Sequence, residues 1–64
     1  MEKLVFACSL KNATKIADDI DKLGYCEVRE IKGQPNERAI MRVIIYDKVA
    51  KSVIPEIITK YDKD

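Results

Sequence analysis

Histidine and tryptophan are absent from this 64-residue sequence, and it contains only two cysteines, two glycines, two prolines and one phenylalanine. Without histidine, the commonest general base and metal ligand is missing. Cys8 and Cys26 alone cannot supply the tetrahedral Cys and His set of a structural zinc site. Neither charge sign is in excess: 12 Lys and Arg stand against 11 Asp and Glu, for a net charge of +1. That balance argues against a dedicated nucleic-acid coat protein but leaves room for a local basic patch. No apolar run approaches a membrane span, and the one after Met1-Glu2-Lys3 is too short for a signal peptide. The expected location is the cytoplasm, where both thiols stay reduced. No nucleophile has a base beside it in any legible pattern, so neither enzyme activity, nor a cofactor, nor a metal site is expected.

What is present points to one small folded domain over residues 1–64. Hydrophobic residues make up 47% and charged residues 36%, which excludes a disordered chain. A domain of this size buries only about 60% of its unfolded surface, and partner subunits often supply the rest.

The most apolar stretch is Ala39–Asp47, rich in β-branched residues and stopped by Asp. Its length suits a central strand, with Met41, Val43 and Ile45 on one face and Ile40, Arg42, Ile44 and Tyr46 on the other. Lys3–Leu10 alternates as a strand, with Leu4, Phe6, Cys8 and Leu10 facing one way and Val5, Ala7 and Ser9 the other. From Asn12 to Leu23, apolar residues at Ala13, Ile16, Ala17, Ile20 and Leu23 have helical spacing. Ser9 or Asn12 can cap this helix, and Gly24 is the expected left-handed C-cap.

Tyr25–Lys32 resumes extended structure, with Cys26 and Val28 on one face and Glu27, Arg29 and Ile31 on the other. This pattern is weaker, and a bulge would repair it. Gly33-Gln34-Pro35-Asn36-Glu37 is turn chemistry and makes a hairpin to the central strand. Beyond it, Asp47 is a plausible N-cap, and Val49 to Tyr61 carries a broad apolar helical face interrupted by Pro55. Either a kinked helix runs across Lys48–Tyr61, or Ser52 caps a later helix with Pro55 in its first turn; the continuous apolar spacing slightly favours the first. The tail Asp62-Lys63-Asp64 is expected to fray. The expected core is Leu4, Phe6, Ile16, Ile20, Leu23, Val28, Met41, Val43, Ile45, Val53 and Ile57.

The order strand, helix, strand, strand, helix, with a right-handed crossover and a hairpin, gives an antiparallel sheet of order 1-3-2 with both helices on one face. This is an α+β fold, a ferredoxin-like α/β plait that stops at βαββα. A full plait places a last strand beside strand one; here strand one is expected to remain an open edge that invites another chain. A homo-oligomer is expected, a dimer through the first strand, with Val5, Ala7, Ser9, Ile54 and Ile58 at the contact. A pocket between subunits would lie near strand one and the Gly33–Arg38 loop.

Arg29, Lys32, Arg38 and Arg42 fall on strands two and three or their hairpin. The plain reading is a solvated sheet face, with Glu27 and Glu30 offsetting the charge. The sharper reading is a site for a small anionic ligand or a phosphate backbone. A nucleic-acid-binding protein is the alternative, as is a module for protein–protein contact; the first is not favoured, because Tyr46 is the lone aromatic on that face. Cys8 and Cys26 read as small buried hydrophobes. As a redox or metal pair they would sit roughly two strand spacings apart, about 9–10 Å, too far for a disulfide. Asp18, Asp19 and Asp21 read as a solvated helix face.

The path of residues 3–61 resembles the small regulatory plaits, namely the PII-like signalling proteins and the ACT domains. Leu23-Gly24-Tyr25 at the end of the first helix, Val28-Arg29-Glu30-Ile31-Lys32-Gly33, and Val43-Ile44-Ile45-Tyr46-Asp47 followed by Val49 and Val53-Ile54 are similar to PII-like segments. Where PII proteins carry a long loop, this chain has Gly33–Arg38, and their basic ligand residues have no counterpart after Tyr61. The usual Pro-Gly of ACT domains is replaced by Leu10-Lys11-Asn12-Ala13. The resemblance implies the plait fold and a habit of oligomerising, hence a small non-enzymatic regulatory or ligand-binding module.

Overall fold

A computed structural model describes residues 1–63. The chain runs through β1 (Glu2–Ser9), a 3-10 turn (Leu10–Asn12), α1 (Ala13–Lys22), β2 (Cys26–Gly33), β3 (Arg38–Ile45) and α2 (Ala50–Tyr61). The sheet order is β1-β3-β2, and both strand pairs are antiparallel. This is the expected βαββα plait.

β3 lies in the centre because it is apolar on both faces. Ala39, Met41, Val43 and Ile45 are buried beneath the helices, and Ile40 and Ile44 are half-buried on the open side. α1 contributes Ala13, Ile16, Ala17 and Ile20 to this core, and α2 contributes Ala50 and Ile54. Much of the centre is therefore small: Cys8, Ala13, Ala17, Cys26, Ala39 and Ala50 are all buried. Small residues let the helices sit close to the sheet. Five of the expected core residues, Ile16, Ile20, Met41, Val43 and Ile45, are buried; Leu4, Phe6, Leu23, Val28, Val53 and Ile57 are only half-covered around the margin.

The bulge expected in β2 falls between Val28 and Glu30. It changes the faces. Ile31 now pairs with Met41, on the helix side but at the rim, and Glu30 and Lys32 pair with Arg42 and Ile40 on the open side. Gly24 takes a left-handed φ of +83°, as its place after α1 requires.

Two caps differ from expectation. Neither Ser9 nor Asn12 makes a side-chain cap bond, because both are held by Asp62. Asp47 does cap, but one turn upstream of α2: its Oδ1 accepts from the Val49 N–H at 3.0 Å. Bonds of 3-10 type then lead into the helix, from the Ala50, Lys51 and Ser52 N–H groups to the Asp47, Lys48 and Val49 carbonyls. Pro55 lies inside α2, which starts at Ala50 and not after a Ser52 cap; of the expected Lys48–Tyr61 span, Lys48 and Val49 form a turn instead. The missing N–H of Pro55 releases the Lys51 carbonyl on an exposed side of the helix, where water can take it. The tail is not frayed at Asp62, which is tied down as described below; Asp64 lies outside the described residues.

The hairpin closes on Pro35-Asn36-Glu37. The Glu37 N–H bonds to the Gln34 carbonyl at 3.1 Å, and the Gln34 N–H to the Arg38 carbonyl at 2.7 Å. This is a turn followed by a left-handed residue, a position that favours glycine, yet Glu37 holds it with φ +63°. A non-glycine residue there costs about 1–2 kcal/mol. Glu37→Gly should therefore raise stability by about 0.5–1 kcal/mol after the added freedom of the unfolded chain is subtracted. Urea unfolding followed by circular dichroism checks it; a loss of stability would mean that the Glu37 side chain matters more than its backbone.

Candidate ligand site on the open sheet face

The helices cover one face of the sheet and leave the other open. Antiparallel partners share a face, so the pairings define rows across the open side. Lys3, Ile44 and Glu27 form one row; Val5, Arg42 and Glu30 the next; Ala7, Ile40 and Lys32 the third. A shallow recess of about 350 Å³ lies over the first two rows, with Lys3, Val5, Arg29, Arg42 and Ile44 around it. Its floor is apolar and its rim carries three cations.

Two of these cations already have partners. Arg42 Nε lies 2.9 Å from Glu30 Oε1, and Arg29 lies 3.5 Å from Glu27 Oε2. Both pairs are exposed, so each holds its guanidinium in place more than it stabilises the fold. The Tyr46 hydroxyl donates to Glu27 Oε1 at 3.1 Å. That hydrogen bond, with some desolvation and the Glu27 charge, pushes the Tyr46 phenol above its ordinary pKa, against the opposing charge of Arg29. Among the described residues Lys3 makes no ion pair, so its ammonium is open to a ligand. An anion entering the recess meets one uncommitted cation and two guanidinium groups with donors to spare.

The four basic residues named from the sequence divide here. Arg29 and Arg42 meet at the recess. Lys32 is on the same face one row away. Arg38 pairs with Ser9 at the far end of β1 and borders a different, polar recess with Asn12 and Asp62. Lys3 was missed. Nothing in its local sequence marks it; the pairing of Lys3 with Ile44 places it there. The Gly33–Arg38 loop also lies away from this recess, because the loop joins β2 to the opposite end of β3; Glu37 borders a separate hollow with Ser9, Leu10 and Lys11. The expected oligomer contact changes too. Val5 and Ala7 are exposed, but Ile54 is wholly buried in the chain's own core and is removed from that surface. Ile58 is half-buried, packed against the core.

The polar corner at the end of β1 is built around Asp62. Its Oδ2 accepts from the Ser9 N–H at 2.8 Å, and its Oδ1 from Ser9 Oγ at 2.6 Å and from Asn12 Nδ2 at 2.9 Å. Asn12 Nδ2 also donates to the Tyr61 carbonyl at 3.0 Å, satisfying one orphan group at the end of α2. Desolvation works to raise the Asp62 pKa, but the bonds from Asn12 and Ser9 and the Arg38 charge outweigh it, and the carboxyl is held below its ordinary value.

The two cysteines are further apart than the sequence implied. Cys8 pairs with Ala39 and Cys26 with Ile45, at opposite ends of β3. Six residues of strand separate those positions, about 20 Å, so an internal pair is excluded. Burial, then Asp62, pushes the Cys8 thiol up, with Arg38 opposing; burial and Asp21 do the same to Cys26. Both thiols are buried, protonated and unreactive.

Among the described residues no group of three metal-ligating side chains converges, and no helix is long and apolar enough to cross a membrane. Comparison with protein-family models, curated proteins and solved structures returned no match.

Proposed function

We propose that the chain is a small non-enzymatic binding module of the cytoplasm, working as a homodimer through β1 and taking a small anionic ligand on its open sheet face. A regulatory role like that of PII-like and ACT plaits fits a module of this size. The observation that carries the reading is the recess beside the β1 edge, where Lys3, Arg29 and Arg42 surround the apolar Val5 and Ile44. A flat apolar floor with convergent cations suits an anion that also has an apolar or aromatic body, such as a nucleotide or an aromatic carboxylate.

The test is a thermal-shift screen of nucleotides, amino acids and inorganic phosphate, followed by calorimetry of any hit. Arg42→Ala with Lys3→Ala should weaken a true ligand at least tenfold while leaving the melting temperature of the free protein nearly unchanged, since both side chains are exposed. A hit that binds the double variant equally well removes the recess from the proposal. Salt-sensitive binding of RNA or DNA of any sequence, with no small-molecule hit, would turn the reading to a nucleic-acid surface built from Arg29, Lys32 and Arg42.

A further inference from the structure

The backbone of β1 states how a second copy can join it. Within a strand, the N–H and C=O of successive residues point to alternate edges. The Ser9 N–H is taken by Asp62 rather than by β3, and the next N–H, of Leu10, bonds to the Glu37 carbonyl on the β3 side. Ser9 therefore faces the outer edge, and so do Ala7, Val5 and Lys3. Asp62 closes this edge at Ser9. What remains open is a stretch of three outward residues, Lys3, Val5 and Ala7.

The other edge of the sheet is guarded. β2 carries a bulge between Val28 and Glu30, charges at Glu27, Arg29, Glu30 and Lys32, and an N–H at Val28 already held by Asp21 at 2.9 Å. These are the devices that keep an edge from pairing. Over its open stretch β1 has no bulge and, among the described residues, no N–H held by a side chain; its one charge is Lys3 at the end, and Val5 at its middle is 57% exposed.

We infer that a second copy of this chain pairs with β1 antiparallel about a two-fold axis at Val5, in a register set by the Asp62 closure. The inference rests on the homodimer reading above and specifies its contact. Centred on Val5, Val5 faces the partner's Val5, and Lys3 faces the partner's Ala7. All the open groups are then used, in about six interchain hydrogen bonds. Centred on Lys3, the pairing would set two ammonium groups opposite each other. Centred on Phe6, it would spend Lys3 on the Ser9 that Asp62 already holds. Centred on Leu4, it would draw in Met1 for want of a third full pair.

The register also completes the ligand site. Lys3, Val5 and Ala7 all belong to open-face rows, so the two open faces become continuous. The partner's Val5 and Ala7 extend the apolar floor beside Val5 and Lys3. The two recesses then flank the axis, with Arg42 and Lys3 from each copy around a shared valine centre.

Cysteine variants read the register directly. Opposed hydrogen-bonded residues lie about 5.5 Å apart between Cα atoms, within disulfide reach. Under mild oxidation, or with a short bismaleimide, Val5→Cys should run almost wholly as covalent dimer. Lys3→Cys and Ala7→Cys should each stay uncoupled alone and couple when mixed. Cys8 and Cys26 are buried, and the wild type serves as the silent control. Self-coupling of Lys3→Cys, or coupling through Ile31→Cys on β2, overturns the register. Sedimentation of the wild type at micromolar concentration separates the two levels of the argument. A dimer without this coupling pattern removes the register and leaves the homodimer reading; a stable monomer removes both.

Discussion

Ile54→Ala should leave the protein largely unfolded at 37 °C, whereas Ile58→Ala on the same helix should fold. Ile54 is wholly buried between α2 and the sheet. Removing such a side chain costs about 2–5 kcal/mol, through lost burial and the cavity left behind. Alanine's better helix propensity returns only about 0.4 kcal/mol. A single core in a chain this short rarely supplies more than about 3–5 kcal/mol in total, so one such cavity consumes most of it. Ile58 is only half-buried, so less area and a smaller void are at stake. Urea unfolding of both variants, followed by circular dichroism, makes the comparison. Equal losses, or a loss under about 1 kcal/mol for Ile54→Ala, would mean that α2 does not seat on the sheet through Ile54.

Asp62→Ala should lower stability by about 1–2 kcal/mol, because it strands the Ser9 N–H at a half-buried corner and takes one of two acceptors from the Asn12 amide. In a domain of this size that is a fall of roughly 5–15 °C in melting temperature. The pH dependence has a definite sign. The folded Asp62 carboxyl is held below its ordinary value, so the stability it contributes is present above about pH 4, near the unfolded pKa. It is lost as the pH falls through the lower, folded value. The gap between wild type and Asp62→Ala should thus be full at pH 7 and should close in acid. Asp62→Asn keeps an oxygen for Asn12 and Ser9 but not the charge; it should fall between the two at pH 7 and change little with pH. Melting curves at pH 7, 5, 4 and 3 would decide it; a gap that widens in acid would contradict the assigned role of Asp62.

The sequence by itself determined the element order, the topology and the central place of β3. Each rests on a local signal that later packing did not override. Alternation in Lys3–Leu10 marks a strand. The i, i+3, i+4 spacing from Ala13 to Leu23, ended by Gly24, marks a helix. Apolarity on both faces of Ala39–Tyr46 marks a strand with neighbours on either side. The irregular alternation after Cys26 even announced the bulge, because a strand whose faces do not alternate must gain or lose a residue to keep its pairing.

What only the tertiary structure decided depends on contacts between residues far apart in the chain. Lys3 joins Arg42 because β1 and β3 pair in one particular register, and a slip of one residue would have sent it to the other face. Ile54 is expected at the oligomer contact, but α2 settles with that side chain inward; helical spacing defines a face but not the rotation with which it lands. Ser9 and Asn12 have the chemistry of helix caps, yet Asp62, some fifty positions away, offers a carboxylate that competes successfully for both. Cys8 and Cys26 share a face but not an end of the sheet, which only the pairing of each with β3 reveals. Periodicity and turn chemistry are written in adjacent residues; register, helix rotation and side-chain partners are settled by the competition among all the surfaces that the folded chain brings together.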